Sequence, residues 1–229
     1  ASHIISEEQV VRLQENLVRS HAVGMGMPIR EEFSLATMLV RLNTLLKGAS
    51  GISLDLVLQL QFFINKRIIP VIYEHGAVGT SGDLVQLAHV ALSLIGEGDV
   101  FFEGKKYKTA DILTRLGIKP HKLKAKEGLA LINGTSVMSG VTALLCVEAK
   151  NLLANEIKLG ALSLELVCGF RDSISEQLHQ LRPHDGQVYV AGQIREILSS
   201  SKLLRDRARL TLKEPVSGEV QKIPDSVQE

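Results

Sequence analysis

Apolar and polar residues alternate with a helical period over most of the chain. Ser6-Glu7-Glu8-Gln9 is a capping box, Ile5 and Val10 sit at the spacing of a hydrophobic staple, and Val10, Leu13 and Leu17 continue one apolar stripe to about Ala22. Gly24, Gly26 and Pro28 stop that helix. The period returns over residues 31–47 and 53–67, separated by the breaker Gly48-Ala49-Ser50-Gly51, which predicts two antiparallel neighbours. Pro70 ends the third helix. A Gly-rich turn, Gly76-Ala77-Val78-Gly79-Thr80-Ser81-Gly82-Asp83, then leads directly into an apolar helix over residues 84–95.

Further along, the alternation around Glu103-Gly104 predicts a small hairpin over residues 100–109, after which Thr109 caps a short helix closed by Gly117. A basic stretch, residues 121–126, precedes a long helical pattern from Glu127 to about Leu181, up to about 70 Å at about 1.5 Å per residue. Pro183 breaks it, a further helix covers residues 188–199, and residues 216–229 show no clear period. The fold class expected is all-α: a mainly helical bundle with long helices and one small β-hairpin. Residues 1–229 read as a single domain without repeat or low-complexity linker.

Composition narrows the function. The chain has 26 Lys+Arg against 25 Asp+Glu, a formal net charge of +1, so no global field recruits nucleic acid or an anionic membrane. Aromatic residues make up only 4% and Trp is absent, so a core of Leu, Val, Ile and Ala must come from closely packed helices. Cys146 and Cys168 fall inside apolar helical patterns and read as buried small hydrophobes rather than a disulfide, which suits a reducing compartment. The apolar region over residues 137–170 is interrupted by Glu148, Lys150, Glu156, Lys158 and Glu165, and no signal peptide is recognised, so a soluble, cytoplasmic protein is expected. The spacing of His and Cys gives no zinc pattern, and no metal site is expected.

Read alone, Thr80-Ser81-Gly82-Asp83 is a helix N-terminus, since Ser and Asp side chains accept hydrogen bonds from the first free amides. Asn133 is a loop residue capping the helix that begins near Thr135, and His21 is a helix-end histidine offsetting terminal carbonyl charge. His89 and His184 read as packing or hydrogen-bonding residues.

The surroundings of these residues change the picture. The block from Gly76 through Ser81-Gly82-Asp83-Leu84-Val85-Gln86-Leu87-Ala88-His89, and the block Glu127-Gly128-Leu129-Ala130-Leu131-Ile132-Asn133-Gly134-Thr135, resemble the most recognisable segments of the histidine and phenylalanine ammonia-lyase family. Asn16-Leu17-Val18-Arg19-Ser20-His21-Ala22 and Arg182-Pro183-His184-Asp185-Gly186-Gln187 resemble two further family segments, in the family's order.

The resemblance implies that Thr80, Ser81 and Gly82 cyclise unaided into a methylidene-imidazolone, the only cofactor expected. Gly82, lacking a Cβ, lets the turn compress, and Ser81 supplies the hydroxyl that is eliminated. The helix that follows points its positive end at developing negative charge. The reaction implied is elimination of ammonia from an aromatic L-amino acid, with covalent catalysis splitting one hard step into easier ones.

Asn133 matches a family asparagine near the ring or the substrate carboxylate. Ser20-His21 occupies the pair that selects the substrate, which points to L-histidine and urocanate. Gln228 matches a family glutamine. Thr80 stands where the family usually has Ala, and Val85-Gln86 where it has Ala-Pro. The resemblance further implies a homotetramer with shared sites and a small-molecule amino-acid substrate. It also implies a longer chain, with a Tyr-bearing loop before residue 1 and a helical region after residue 229. A related aminomutase and a catalytically silent helical scaffold are the alternatives.

Overall fold

A computed structural model describes residues 6–78 and 81–207. Helix α1 (Glu7–His21) begins where the capping box puts it: Gln9 N donates to Ser6 Oγ and Ser6 N to Gln9 Oε1, at 3.3 and 3.0 Å. The staple partner Ile5 lies outside the described residues. Helices α2 (Glu31–Leu45) and α3 (Leu54–Lys66) pack on one another. α2 turns Ser34, Thr37, Met38, Arg41, Leu42 and Leu45 inward, the three- and four-residue spacing of one helical face.

The expected hairpin is present as β4 (Asp99–Phe102) and β5 (Lys105–Lys108), with Phe102 opposite Lys105. Glu103 and Gly104 take φ of 51° and 73°, the pair of positive values a two-residue hairpin turn needs. Three more strands escaped the sequence reading. β2 (Ile69–Pro70) joins β4 in an antiparallel three-stranded sheet, and β1 (Met25–Pro28) pairs with β3 (Tyr73–His75). Segments this short carry no measurable period, and only pairing with a distant partner makes them strands.

Helix α4 (Leu84–Leu94) follows the Gly-rich turn, and α5 (Thr109–Arg115) follows the hairpin. Thr109 is not the cap of α5. Its N–H and hydroxyl both donate to Gly98 O, at 3.0 and 3.1 Å, so it latches the helix start to the turn before β4, and Lys108 holds the cap position without a side-chain bond.

The pattern over residues 127–181 is not one helix. It forms α6 (Glu127–Ile132), a break at residues 133–135, and α7 (Ser136–Leu166), about 46 Å long at about 1.5 Å per residue. α7 ends because Cys168 adopts φ of 51° and the amides of Cys168 and Gly169 return to Glu165 O and Leu164 O, a Schellman close with cysteine in the left-handed position. A 3₁₀ turn (Arg171–Ile174), α8 (Glu176–Gln180) capped by Ser175, and α9 (Asp185–Ile197) complete the described elements.

The chain divides into two compact units, Ala1–Cys146 and Val147–Glu229, a division that falls within α7. The first is organised around Met38, Leu60, Phe63, Ile72, Leu87 and Leu94, all completely buried. In the second, Ala161, Ile174, Leu198 and Leu204 form a small cluster. Within the first unit α1, α4 and α6 each pack on the other two. The class is all-α, as the periodicity predicts.

Two expectations about α7 and the turn that follows it need correction. Cys146 is exposed and Cys168 half-buried, both as free thiols rather than as buried core. The stretch Glu127–Leu166 is also, despite its charges, long and apolar enough by composition alone to cross a membrane, a property shared by core helices of soluble proteins. The shared cause is that α7 is apolar around much of its circumference, with Leu145, Leu152, Leu153, Leu159, Leu162 and Leu166 all exposed.

Candidate active site

The turn before α4 is held open to unusual backbone values. Ser81 has φ of 59° and Gly82 φ of 105°, the first uncommon for a residue with a side chain and the second accessible to glycine alone. A Cβ on Gly82 would sit 2.7 Å from both the nitrogen and the oxygen of Gly134. The residue is therefore glycine for two reasons, conformation and the approach of a second backbone. Ser81 is exposed and Gly82 half-buried. Thr80, the third member of the triplet, lies outside the described residues, as does Gln228.

Asp83 does not cap its own helix. Its N–H donates to Gly134 O at 2.7 Å, and its buried carboxylate accepts from Met138 N at 2.9 Å, in the first turn of α7. One residue thus ties the start of α4 to the 133–135 break and places its negative charge at the positive end of the 31-residue α7. The reading of Asp83 as a local cap is replaced by a cap in trans across two helices.

Asn133 ends α6 in extended conformation, φ −92° and ψ 109°, with its side chain exposed and unbonded among the described residues. It is not the side-chain cap of α7: that service comes from Asp83. Its carbonyl accepts from Arg41 Nη2 at 2.8 Å, and the same nitrogen donates to Ala130 O. Arg41 is 3% exposed, and burial lowers its pKa from the ordinary value. Gly134 has no Cβ, and one placed there would run into Arg41 Nη1. On the far side of the break, a Cβ on Gly140 would lie 2.8 Å from Thr37 N, so α2 lies tight against both flanks.

Ser20 and His21 end α1. His21 Nδ1 lies 2.8 Å from Leu17 O and Ser20 Oγ lies 2.9 Å from the same carbonyl, so Nδ1 carries the proton in the neutral imidazole and Nε2 remains an acceptor. The ring therefore bonds a carbonyl of the last turn of α1, as a helix-end histidine does. No hydrogen bond among the described residues joins His21 to Ser81 or Asn133; the three lie on or beside α1, α4 and α6, which pack on one another.

Beneath them His89 accepts from Gly24 N at 3.1 Å and meets the Tyr73 ring edge-on at 5.1 Å, as a packing histidine whose pKa burial lowers. Among the described residues no three His, Cys, Asp or Glu converge on one point.

The start of α6 is fixed by Glu127, which is 1% exposed and accepts from Ser53 N at 2.9 Å, Lys124 N at 2.7 Å and His121 Nε2 at 3.0 Å. Burial alone would raise its pKa, but the donated bonds outweigh it and hold the carboxyl below the ordinary range. Sequence reading overlooked Arg41, Gly134 and Glu127. For Arg41 a signal existed: a cation at 41 within the apolar positions Met38, Leu42 and Leu45 of one helical face.

Comparison with known proteins identifies the family of the chain. Residues 1–222 match the family model described as aromatic amino acid lyase. The chain is 44% identical over 210 residues to a histidine ammonia-lyase of Staphylococcus aureus strain JH9, covering 92% of this chain and 42% of that protein. Among solved structures it resembles the phenylalanine aminomutase of Pantoea agglomerans with TM-score 0.85 and 35% identity, over 91% of this chain and 40% of the other. It also resembles the histidine ammonia-lyase of Trypanosoma cruzi with TM-score 0.80 and 37% identity, over 84% of this chain and 38% of the other. The chain thus spans about two-fifths of the length of these relatives.

Proposed function

The chain belongs to the aromatic amino acid lyase family, and from that premise we propose that it is the electrophile-bearing part of an ammonia-lyase that converts L-histidine to urocanate. The observation that carries this reading is the turn at Ser81-Gly82, where two consecutive positive φ values bend the chain against the backbone of Gly134. A tight bend favours the approach of an amide nitrogen to a carbonyl two residues back, which extended trans peptides resist.

Ring closure joins Gly82 N to the carbonyl carbon of Thr80. The carbonyl oxygen leaves as water with the amide protons of Ser81 and Gly82. The Ser81 hydroxyl leaves with the Ser81 α-proton as a second water. The resulting methylidene-imidazolone supplies an electron-poor methylene that turns the substrate's amino group into a leaving group.

The other residues bind and orient. The free amide of Asn133 hydrogen-bonds the substrate carboxylate. His21, its Nδ1 proton committed to Leu17 O, offers Nε2 as acceptor to an N–H of the substrate side chain, which an imidazole has and a phenyl ring lacks. Ser20 flanks it, and Gln228 completes the binding set. Residues 1–229, with both compact units, belong to a single domain of a longer protein. The exposed apolar face of α7 is covered by other copies in a soluble, cytoplasmic homotetramer with shared sites, rather than by lipid or nucleic acid.

The test is the mass of the peptide spanning residues 75–89 from the full-length protein. Loss of two waters is expected, followed by turnover of histidine to its unsaturated acid. An unchanged mass overturns the proposal in favour of a silent scaffold. The likeness to an aminomutase favours one second reading, in which ammonia is returned to the neighbouring carbon, and a β-amino acid product would identify it.

A further inference from the structure

Arg41 is the buried cation of this unit that the mechanism above does not use. It is 3% exposed, no carboxylate pairs with it among the described residues, and its Nε has no hydrogen-bond partner there. A guanidinium so buried is costly unless its charge is offset. The offset comes from the carbonyl end of α6: Nη2 donates to Ala130 O and Asn133 O, while Nη1 occupies the space left by the missing side chain of Gly134.

Gly134 is in turn the wall against which Gly82 is pressed, and Gly134 O receives the amide of Asp83 at 2.7 Å. A continuous chain of contacts therefore runs from the inward face of α2, through residues 130–134, to the turn at residues 81–83. Resting on the function proposed above, we propose that Arg41 is a positioning residue for ring closure. By clamping the carbonyls that end α6, it holds Gly134 where the Ser81-Gly82 turn must be compressed. It touches neither substrate nor the reacting atoms.

The experiment follows the mass of the peptide spanning residues 75–89 in the full-length protein at intervals after synthesis, with far-UV circular dichroism and native size as controls of folding. Arg41→Met removes the clamp at similar volume and should slow the loss of two waters by on the order of a hundredfold, the size of effect expected when reacting groups are misplaced by about 1 Å. Arg41→Lys retains a donor for one carbonyl and should restore part of the rate. Gly134→Ala leaves Arg41 in the chain but drives its guanidinium out of place, and should slow closure as Arg41→Met does.

If Arg41→Met does not fold, Arg41→Lys and Gly134→Ala decide the matter. Wild-type closure speed in any folded variant lacking the clamp overturns the inference about Arg41. Absence of water loss in the wild-type protein overturns instead the function on which it rests.

Discussion

Replacing Glu127 probes how the start of α6 supports the site at its end. The carboxylate receives three hydrogen bonds in a position 1% exposed, from the amides of Ser53 and Lys124 and from the His121 ring. Glu127→Ala removes the acceptor and leaves three donors stranded. At about 1–3 kcal/mol for each buried group left unpaired, relieved in part by entering water, we expect about 3–5 kcal/mol of lost stability. Glu127→Gln keeps one oxygen but turns an NH₂ toward a donor, and should cost about 2 kcal/mol.

The effect carries a pH signature. The folded pKa lies below the ordinary value of 4.5, so the unfolded chain takes up the proton first as pH falls. The contribution of Glu127 is complete above about pH 4.5 and is lost as pH drops through the depressed folded value. Urea unfolding of the full-length protein at pH 7 and at stepwise lower pH measures both effects. The difference between wild type and Glu127→Gln should shrink on acidification. A difference that is constant with pH, or a Glu127→Ala variant as stable as wild type, would refute the assignment of a charged, triply bonded carboxylate.

Two further outcomes follow from the site itself. Gly82→Ala must accept φ of 105° and a Cβ 2.7 Å from Gly134, together costing about 2–6 kcal/mol, and its 75–89 peptide should keep its full mass; normal water loss would show that compression is not needed. His89 should titrate below 6.5 in the folded protein, since burial disfavours its charged form and Gly24 N–H requires its lone pair. Its contribution to stability is therefore present above 6.5 and declines as pH falls through the folded value, and an NMR midpoint above 6.5 would contradict the geometry.

Local patterns along the chain suffice for what neighbours in sequence decide. The capping box at Ser6, the helical period of α1 to α4 and the hairpin turn at Glu103-Gly104 depend on contacts within a few residues, and the structure has each of them, although α1 turns Gln14 and Val18 inward and leaves Leu13 of the expected stripe exposed. The triplet at Thr80-Ser81-Gly82 and the pair Ser20-His21 stand out in the sequence by residue type alone, and their proposed roles await the mass measurement. Where the deciding partner is far along the chain, periodicity is silent. The strands β1 to β3 exist only by pairing, and Asp83 appears as the cap of its own helix until α7 arrives to claim its carboxylate.

Arg41, Glu127 and Gly134 acquire meaning only through groups far along the chain, such as Asn133, 92 residues from Arg41. The pattern over residues 127–181 carries helical period throughout, yet the left-handed turn at Cys168 and the extended Asn133 cut it. Hydrophobic spacing can therefore say which residues turn inward. Only packing decides which buried polar groups find partners, and at Gly82 it is packing that brings the backbone of Gly134 against a left-handed turn.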